Sequence, residues 1–206
     1  IFFVEGINKK GLLQFLLRDK NLENVLVFTR TKYGADRVVR DLNALKGKRI
    51  GLFANHTATI GNKHLVDTLV SLGMQITKAF GPEHGFRGTA DAGEKVKSGK
   101  DAKTHITVIS LYGSHKKPTA EALKGIDLLI FDLQDVGVRY YTYLSTLHYV
   151  MEAAAEQHIP LLVLDRPNPN GAYVDGPVLD KDYQSFVGLH PIPLLHGMTL
   201  GELALM

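Results

Sequence analysis

Five short apolar runs recur along the second, larger part of the chain, and segments with helical periodicity alternate with them. Strands that are apolar on both faces and alternate with helices are typical of a parallel sheet covered on each side. The predicted strands are 49–54, 75–80, 107–111, 126–132 and 161–165, and the predicted helices are 63–72, 119–124 and 144–157. The sequence therefore predicts an α/β fold, with a Rossmann-like parallel sheet and helices on both faces.

The charge is distributed unevenly between the two parts of the chain. Residues 1–50 carry 11 Lys and Arg against 5 Asp and Glu, whereas residues 51–206 carry 13 against 16. With the break at Lys46-Gly47-Lys48, this contrast predicts a short α-β-α appendage at 1–44 and an α/β domain at 45–206. Because the basic excess lies in the appendage, we expect no nucleic-acid binding by 45–206. No apolar stretch reaches the ~20 residues of a membrane span.

Common cofactor motifs do not fit this sequence. The turn after the first strand, Asn55-His56-Thr57, lacks the glycines of a dinucleotide-binding loop. The stretch 88–93 has P-loop spacing, but Glu94-Lys95 follows it instead of Lys and a hydroxyl residue. A metal site from His84, Asp165 and His196 has no supporting spacing, and the absence of Cys excludes thiolate ligands. We therefore expect neither a cofactor nor a metal.

Polar clusters follow the strands at the edge where parallel sheets bind ligands, the carboxyl ends. The loop GPEHGFRG combines Glu83, His84 and Arg87 with three glycines that permit sharp turns. The segment DLQDVGVRYYTY contains three tyrosines, and at least one of them should face a cleft, because buried hydroxyls need partners. The concentration of these groups on one edge predicts a site there.

Each cluster also has a structural interpretation. Glu83 could pair with Arg87 to brace its loop, and Asp135 could cap the helix that follows it. Asp165 and Arg166 could brace the proline-stiffened loop DRPNPN. Histidines near the end, such as His196, are more often loop hydrogen-bonders than ligands.

Seven segments together resemble a known family: LKGKRIGLFANHTA, FGPEHGFRG, DAGEKV, SLYG, IDLLIFDLQDVGVRYYTY, LDRPNPNG and SFVGLHPIPLLHGMTLGELA. They are similar to the N-terminal domain of the exo-β-N-acetylmuramidases of NamZ type, over 45–206. The resemblance implies a glycosidase that releases N-acetylmuramic acid from non-reducing ends of peptidoglycan fragments. It also implies a smaller C-terminal domain, which we expect to be missing here, and an active site between the two. The family is usually exported, but this chain carries no signal peptide, so its compartment stays open.

Glycoside hydrolysis uses one carboxylic acid to protonate the leaving oxygen and a second carboxylate as base or nucleophile. Glu83 is the candidate acid, and Asp132, Asp135 or Glu94 is the candidate partner. Arginines suit the lactyl carboxylate of muramic acid, because a guanidinium binds it bidentately. The candidate substrate-binding residues are Asn55, His84, Arg87, Glu94, Gln134, Arg139, Tyr141, Tyr143, Asp165, Arg166 and Asn168.

Residues 1–43 resemble a different family. The stretch VLVFTRTK at 25–32 is similar to motif IV in the second RecA-like domain of DEAD-box RNA helicases, although the ATP-binding loop and the DEAD box are absent. We therefore expect a fusion of unrelated segments near 44–46, natural or artefactual. An RNA-binding helicase module and a catalytically silent sugar-binding domain remain as alternative functions.

Overall fold

The computed structural model describes residues 45–83, 85–88, 98–113 and 116–206. The appendage predicted for 1–44 lies outside these residues, as do the candidates His84 and Glu94. The described strands are β1 (Arg49–Ala54), β2 (Thr59–Ile60), β3 (Lys63–His64), β4 (Gln75–Gly81), β5 (Gly99–Lys100), β6 (Thr107–Ser110), β7 (Leu128–Asp132) and β8 (Leu161–Val163). The described α-helices are α1 (Leu65–Ser71), α2 (Ala120–Leu123), α3 (Tyr143–Glu156) and α4 (Leu200–Ala204), and a 3-10 helix spans Lys181–Tyr183.

Six strands form one sheet in the order β5-β6-β4-β1-β7-β8, and β2 pairs with β3 in a separate antiparallel hairpin. The five strands from β6 to β8 run parallel, whereas β5 is antiparallel to β6 at the edge. Counted along the chain, the parallel strands stand in the order third, second, first, fourth, fifth, which is the doubly wound Rossmann arrangement. The order reverses between β1 and β7, and ligands of such folds bind at that switch point.

Strand alternation divides the core between the two faces of the sheet. Ile50 and Leu52 of β1 pack on one face with Leu65 and Leu69 of α1. Phe53 lies on the other face, in the cluster that contains the buried residues of α2, α3 and α4. Each fully buried side chain of this size contributes about 1.5–3 kcal/mol. The two clusters hold helices against both faces, so the α/β class predicted from the sequence is confirmed.

Three strands agree with the predicted apolar runs to within one residue, whereas β7 begins two residues later and β8 ends two residues earlier than predicted. Three other local details differ. The helix predicted from residue 63 begins at Leu65, because Lys63-His64 pairs with Thr59-Ile60. The His64 ring caps that helix by accepting a hydrogen bond from Val66 N. The edge strand β5 was not predicted, and neither was the β2-β3 hairpin. Within the described residues, no helix has the length and apolar character needed to cross a bilayer.

Candidate active site

The loop after β4 carries Glu83 and is shaped by its glycines. Gly85 and Gly88 adopt positive φ angles of 80° and 70°, and a Cβ at Gly81 would lie 2.8 Å from the backbone nitrogen of Phe86. Phe86 is buried, with its ring centroid 4.9 Å from that of His64. The loop is therefore held close to the sheet, and Glu83 is half-buried there.

Asn55 follows β1, is fully buried and has a fixed amide orientation. Its Oδ1 accepts hydrogen bonds from Thr57 N at 2.9 Å and Thr57 Oγ1 at 2.6 Å. Its Nδ2 therefore points the other way and donates to the Tyr143 hydroxyl at 2.8 Å. A hydrogen bond thus connects the end of β1 to the first residue of α3.

The three tyrosines after β7 occupy different environments. Tyr143 is 2% exposed and Tyr141 is half-buried, with its ring edge-on to that of Tyr143 at 4.8 Å, whereas Tyr140 is 59% exposed. Burial raises the pKa of Tyr143, and Tyr141 and the Glu83 carboxylate raise it further. The Asn55–Tyr143 hydrogen bond brings the loops after β1 and β7 together.

Asp132, the last residue of β7, forms a buried ion pair with Arg166. Arg166 Nε donates to Asp132 Oδ1 and Nη2 to Oδ2, each at 2.8 Å, and Nη1 donates to Thr57 O at 2.9 Å. Burial raises the pKa of Asp132 to about 6, against the opposite effect of Arg166. Arg166 thereby joins the loops that follow β1, β7 and β8, and its partner is Asp132 rather than the neighbouring Asp165.

The interpretation of Asp135 as a helix cap is wrong, because α3 begins at Tyr143 and its N-cap residue is Thr142. Its Oδ2 accepts a hydrogen bond from Gly137 N at 2.7 Å and lies 3.6 Å from His196 Nε2. Burial raises the pKa of Asp135 to about 6, and the charge of Asp165 adds to the effect. Gln134 beside it donates through Nε2 to Asp135 O and Pro167 O.

Asp165 follows β8 and organises the start of α4. It accepts hydrogen bonds from Thr199 Oγ1 at 2.6 Å and from Gly201 N at 2.8 Å. Asn168 in the same loop donates to Met198 O and accepts from Asn170 N. These bonds attach the loop after β8 to the chain around α4.

A small cleft opens between the loops that follow β7 and β8. Its polar lining comes from two carboxylates, one guanidinium, one amide and one hydroxyl, and four aliphatic side chains complete it. The lining residues are Leu133, Asp135, Val163, Leu164, Asp165, Arg166, Asn168, Thr199 and Leu200. The cleft thus offers acid–base groups, a cation and neutral hydrogen-bonding groups together.

The other two candidate arginines have internal partners. Arg87 pairs with Asp67 and Asp101 and does not brace Glu83. These bonds lower the pKa of Asp101, so the cluster is fully ionised at neutral pH. Arg139 donates through Nη1 to Pro177 O and Ile192 O. Neither guanidinium lines this cleft, and a role for either in binding the substrate carboxylate stays a prediction.

Three residues that contact the candidate arginines were not predicted, because no motif marks them. Thr57 accepts a hydrogen bond from Arg166, and Asp67 and Asp101 pair with Arg87. His196 was expected to be a loop hydrogen-bonder, and its ring does accept a bond from Met198 N. In the described part of the chain, no group of three or more His, Cys, Asp or Glu is placed to hold a metal.

Known proteins share this fold and sequence. The family model described as exo-beta-N-acetylmuramidase NamZ, N-terminal, matches residues 50–206. The peptidoglycan beta-N-acetylmuramidase NamZ of Bacillus subtilis (strain 168) is 53% identical over 179 residues, which cover 85% of this chain and 43% of that protein. Because 45–206 makes up 79% of the chain, the match includes residues before Leu45.

Two crystal structures of DUF1343 family proteins from Bacteroides fragilis NCTC 9343 are also similar. The structure at 1.30 Å has a TM-score of 0.72 and 48% identity, and covers 83% of this chain and 44% of its own. The structure at 1.65 Å has a TM-score of 0.75 and 41% identity, and covers 85% of this chain and 44% of its own. The chain thus spans less than half the length of these relatives. With the family match across most of its length, the chain belongs to the exo-β-N-acetylmuramidase NamZ family and contains that family's N-terminal domain.

Proposed function

We propose that this chain is part of a glycoside hydrolase that releases N-acetylmuramic acid from the non-reducing ends of peptidoglycan fragments. The Bacillus relative carries the name of a peptidoglycan beta-N-acetylmuramidase. The chemistry requires a proton donor and a second carboxylate near one sugar-binding surface. The carboxyl edge of this sheet carries the carboxylates of Glu83, Asp132, Asp135 and Asp165.

The observation that carries the proposal is the convergence of the loops after β1 and β7, where the Tyr143 hydroxyl accepts a hydrogen bond from the buried Asn55. Glu83 lies half-buried on the loop after β4, and its carboxylate contributes to the raised pKa of Tyr143. We assign Glu83 as the general acid, because glycoside hydrolysis needs one carboxyl group in that role. Tyr141 supplies an aromatic surface with a hydroxyl at the same point, which suits a sugar ring.

Arg166 is the candidate for recognition of the lactyl carboxylate. Of the three arginines considered, it alone borders the cleft. Asp132 already neutralises part of the Arg166 charge, so we expect Arg166 to orient the lactyl carboxylate of the substrate and to contribute little to the free energy of substrate binding. Asn168 and Thr199 lie in the same lining and provide neutral hydrogen-bonding groups.

A catalytically silent sugar-binding domain is the second candidate. It is favoured by the neutral amide of Asn168 and hydroxyl of Thr199 in the cleft, which can hydrogen-bond sugar hydroxyls without any proton transfer. A silent domain would bind N-acetylmuramic acid glycosides without cleaving them.

The test replaces Glu83 with Gln, which keeps the shape but removes the acid. On a chromogenic β-glycoside of N-acetylmuramic acid, turnover should fall at least about 100-fold, since general acid catalysis supplies roughly 10²–10⁴-fold. The melting temperature should stay nearly unchanged, because the substitution adds no volume. Glu121→Gln is the matched control, because Glu121 is exposed on α2.

The assay is run on this chain and on the chain continued by the remaining part of the Bacillus relative. Near-normal turnover by Glu83→Gln would show that Glu83 only braces its loop. Binding by calorimetry without turnover in either form would favour the silent sugar-binding domain. Absence of both binding and turnover would reject both candidates.

A further inference from the structure

The identity of the second carboxylate depends on which oxygens are still free. Both oxygens of Asp132 accept hydrogen bonds from Arg166, and its side chain is 2% exposed. Each oxygen of Asp132 keeps a second lone pair, but the bidentate ion pair with a guanidinium opposes uptake of a proton by this carboxylate. Asp135 has no such ion pair with a Lys or Arg among the described residues, which makes it the stronger candidate.

The two oxygens of Asp135 differ, although backbone N–H groups of both Gly137 and Val136 lower the pKa of its carboxyl against the effect of burial. Oδ2 accepts a hydrogen bond from Gly137 N at 2.7 Å. Oδ1 is buried and has no hydrogen-bond partner among the residues that the structure describes. The residue lines the cleft together with Asp165 and Arg166. Buried oxygens without partners are rare in proteins, and they mark positions where another role compensates for the cost.

His196 approaches Asp135 from the loop before α4, and the position of its ring proton follows from its contacts. Met198 N donates to His196 Nδ1 at 3.3 Å, so Nδ1 carries no proton and the neutral ring carries its hydrogen on Nε2. Nε2 lies 3.6 Å from Asp135 Oδ2 and, among the described residues, has no hydrogen-bond partner. That distance is too long for a hydrogen bond.

The backbone holds these two side chains opposite each other. His196 N donates to Gly137 O at 3.4 Å, and Arg139 N donates to Leu194 O at 2.8 Å. Val138 and Leu195 form an isolated antiparallel bridge between the same two segments. The unpartnered N–H and the carboxylate therefore face each other on paired segments, and a shift below 1 Å brings them into hydrogen-bond range.

We propose that Asp135 is the second carboxylate of this site and that His196 is its positioning residue, donating Nε2–H to Oδ2 while Oδ1 remains free. The proposal rests on the hydrolase function proposed above. We assign Asp135 the role of the base that activates a water molecule, with Oδ1 as the oxygen that accepts the proton.

The reaction step is balanced without any co-reactant beyond water. One O–H bond of water breaks and its proton goes to Asp135 Oδ1, while the water oxygen forms a bond to the anomeric carbon. The glycosidic C–O bond breaks, and Glu83 gives its proton to the leaving oxygen. Attack opposite the leaving group inverts the anomeric configuration.

The first experiment does not depend on activity. In ¹⁵N NMR spectra of the chain, His196 should show a protonated Nε2 and an unprotonated Nδ1. The Asp135 carboxyl, followed by ¹³C NMR, should titrate at a higher pH in His196→Leu than in the wild type, because the donor is lost. Among the described residues, His196 lies 3.6 Å from Asp135 Oδ2, Asp165 raises the pKa of Asp135, and Arg166 lines the same cleft, so Asp165 is followed in the same spectra.

The second experiment measures turnover on a β-glycoside of N-acetylmuramic acid. His196→Leu should lower kcat about tenfold, the effect of one hydrogen bond to a charged group, with KM nearly unchanged. The acidic limb of the kcat–pH profile should move to higher pH. His196→Gln keeps an N–H donor and should retain most of kcat and the wild-type acidic limb. His158→Gln, at an exposed histidine after α3, is the matched control.

Each result decides between defined outcomes. An Nδ1–H tautomer, or an unchanged Asp135 titration in both His196 variants, overturns the positioning role. A first product that retains its anomeric configuration overturns the role of Asp135 as a base. If the wild-type protein releases no N-acetylmuramic acid while the NMR results are as expected, the proposed function fails and the Asp135–His196 pair stands.

Discussion

Replacing Arg166 with Met should destabilise the protein far more than its partly exposed position suggests. The substitution leaves the Asp132 carboxylate 2% exposed and without the two hydrogen bonds that it receives from Arg166. It also removes the donor to Thr57 O. Removal of one partner from a buried ion pair costs about 3–5 kcal/mol, because the other charge stays buried. Urea denaturation followed by circular dichroism measures this free energy of unfolding.

The chain offers a matched control with the same bonding pattern at the surface. Arg49 also donates two side-chain hydrogen bonds to one carboxylate, that of Asp127, but the side chains of this pair are 48% and 36% exposed. Water solvates both charges when that pair is broken, so Arg49→Met should shift the urea midpoint much less. The double variant Asp132→Leu, Arg166→Met should recover most of the loss, since no charge remains buried.

The Arg166→Met variant should also respond to pH in a defined direction. Burial already raises the folded pKa of Asp132 above its ordinary value of 3.8, to about 6, and loss of Arg166 raises it further. A group whose pKa is raised in the folded state stabilises the protein below pH 3.8, and this stabilisation is lost as the pH rises through the folded pKa. The difference in free energy of unfolding between wild type and variant should therefore become smaller as the pH falls from 7 to 5. The reasoning would be refuted if Arg166→Met lowered the free energy of unfolding no more than Arg49→Met does.

Three further predictions concern other parts of the chain. Gly137→Ala should cost at least about 2 kcal/mol in urea denaturation, because φ is 78° and a Cβ would lie 2.1 Å from the Asn168 side chain; Gly47→Ala, with φ of 81° and open space, measures the backbone strain alone. The free energy of unfolding of the wild type should fall by up to about 3 kcal/mol as the pH rises from 4 through 6, because burial raises the folded pKa of Asp135 to about 6. Asp135→Asn should remove this pH dependence, and equal slopes of unfolding free energy against pH in the two proteins would contradict the prediction. The purified chain should release no phosphate from ATP above a buffer control, with or without RNA, because the helicase nucleotide-binding motifs are absent from the sequence.

The sheet was predictable from the sequence because its strands are buried on both faces. The run at 49–54 matches β1 at both ends, since Lys48 and Asn55 interrupt the apolar pattern. β5 left no such signal, because Gly99–Lys100 is two residues long and exposed. Its pairing with β6 depends on tertiary contacts that no local pattern encodes.

The ion pairs around the candidate site were not predictable from the sequence. Arg166 and Asp165 are neighbours in sequence, which favoured a local pair, yet Arg166 binds Asp132, 34 residues away. Arg87 likewise bypasses Glu83 for Asp67 and Asp101, 20 and 14 residues away. A guanidinium reaches any carboxylate that the fold brings near, so sequence distance does not select its partner.

At the carboxyl edge, side-chain hydrogen bonds hold the loops of a polar site in place. Three of these loops are fastened by side chains with committed hydrogen bonds: Asn55 after β1, Asp132 at the end of β7 and Asp165 after β8. Buried polar groups of this kind cost stability unless each is paired, and together they hold the loops in one arrangement. Asp135 Oδ1 and His196 Nε2 are exceptions within this edge. Asp132 and Asp165 are hydrogen-bonded whereas these two atoms are not, which is why the His196 tautomer is the measurement that most directly tests the proposed proton transfer.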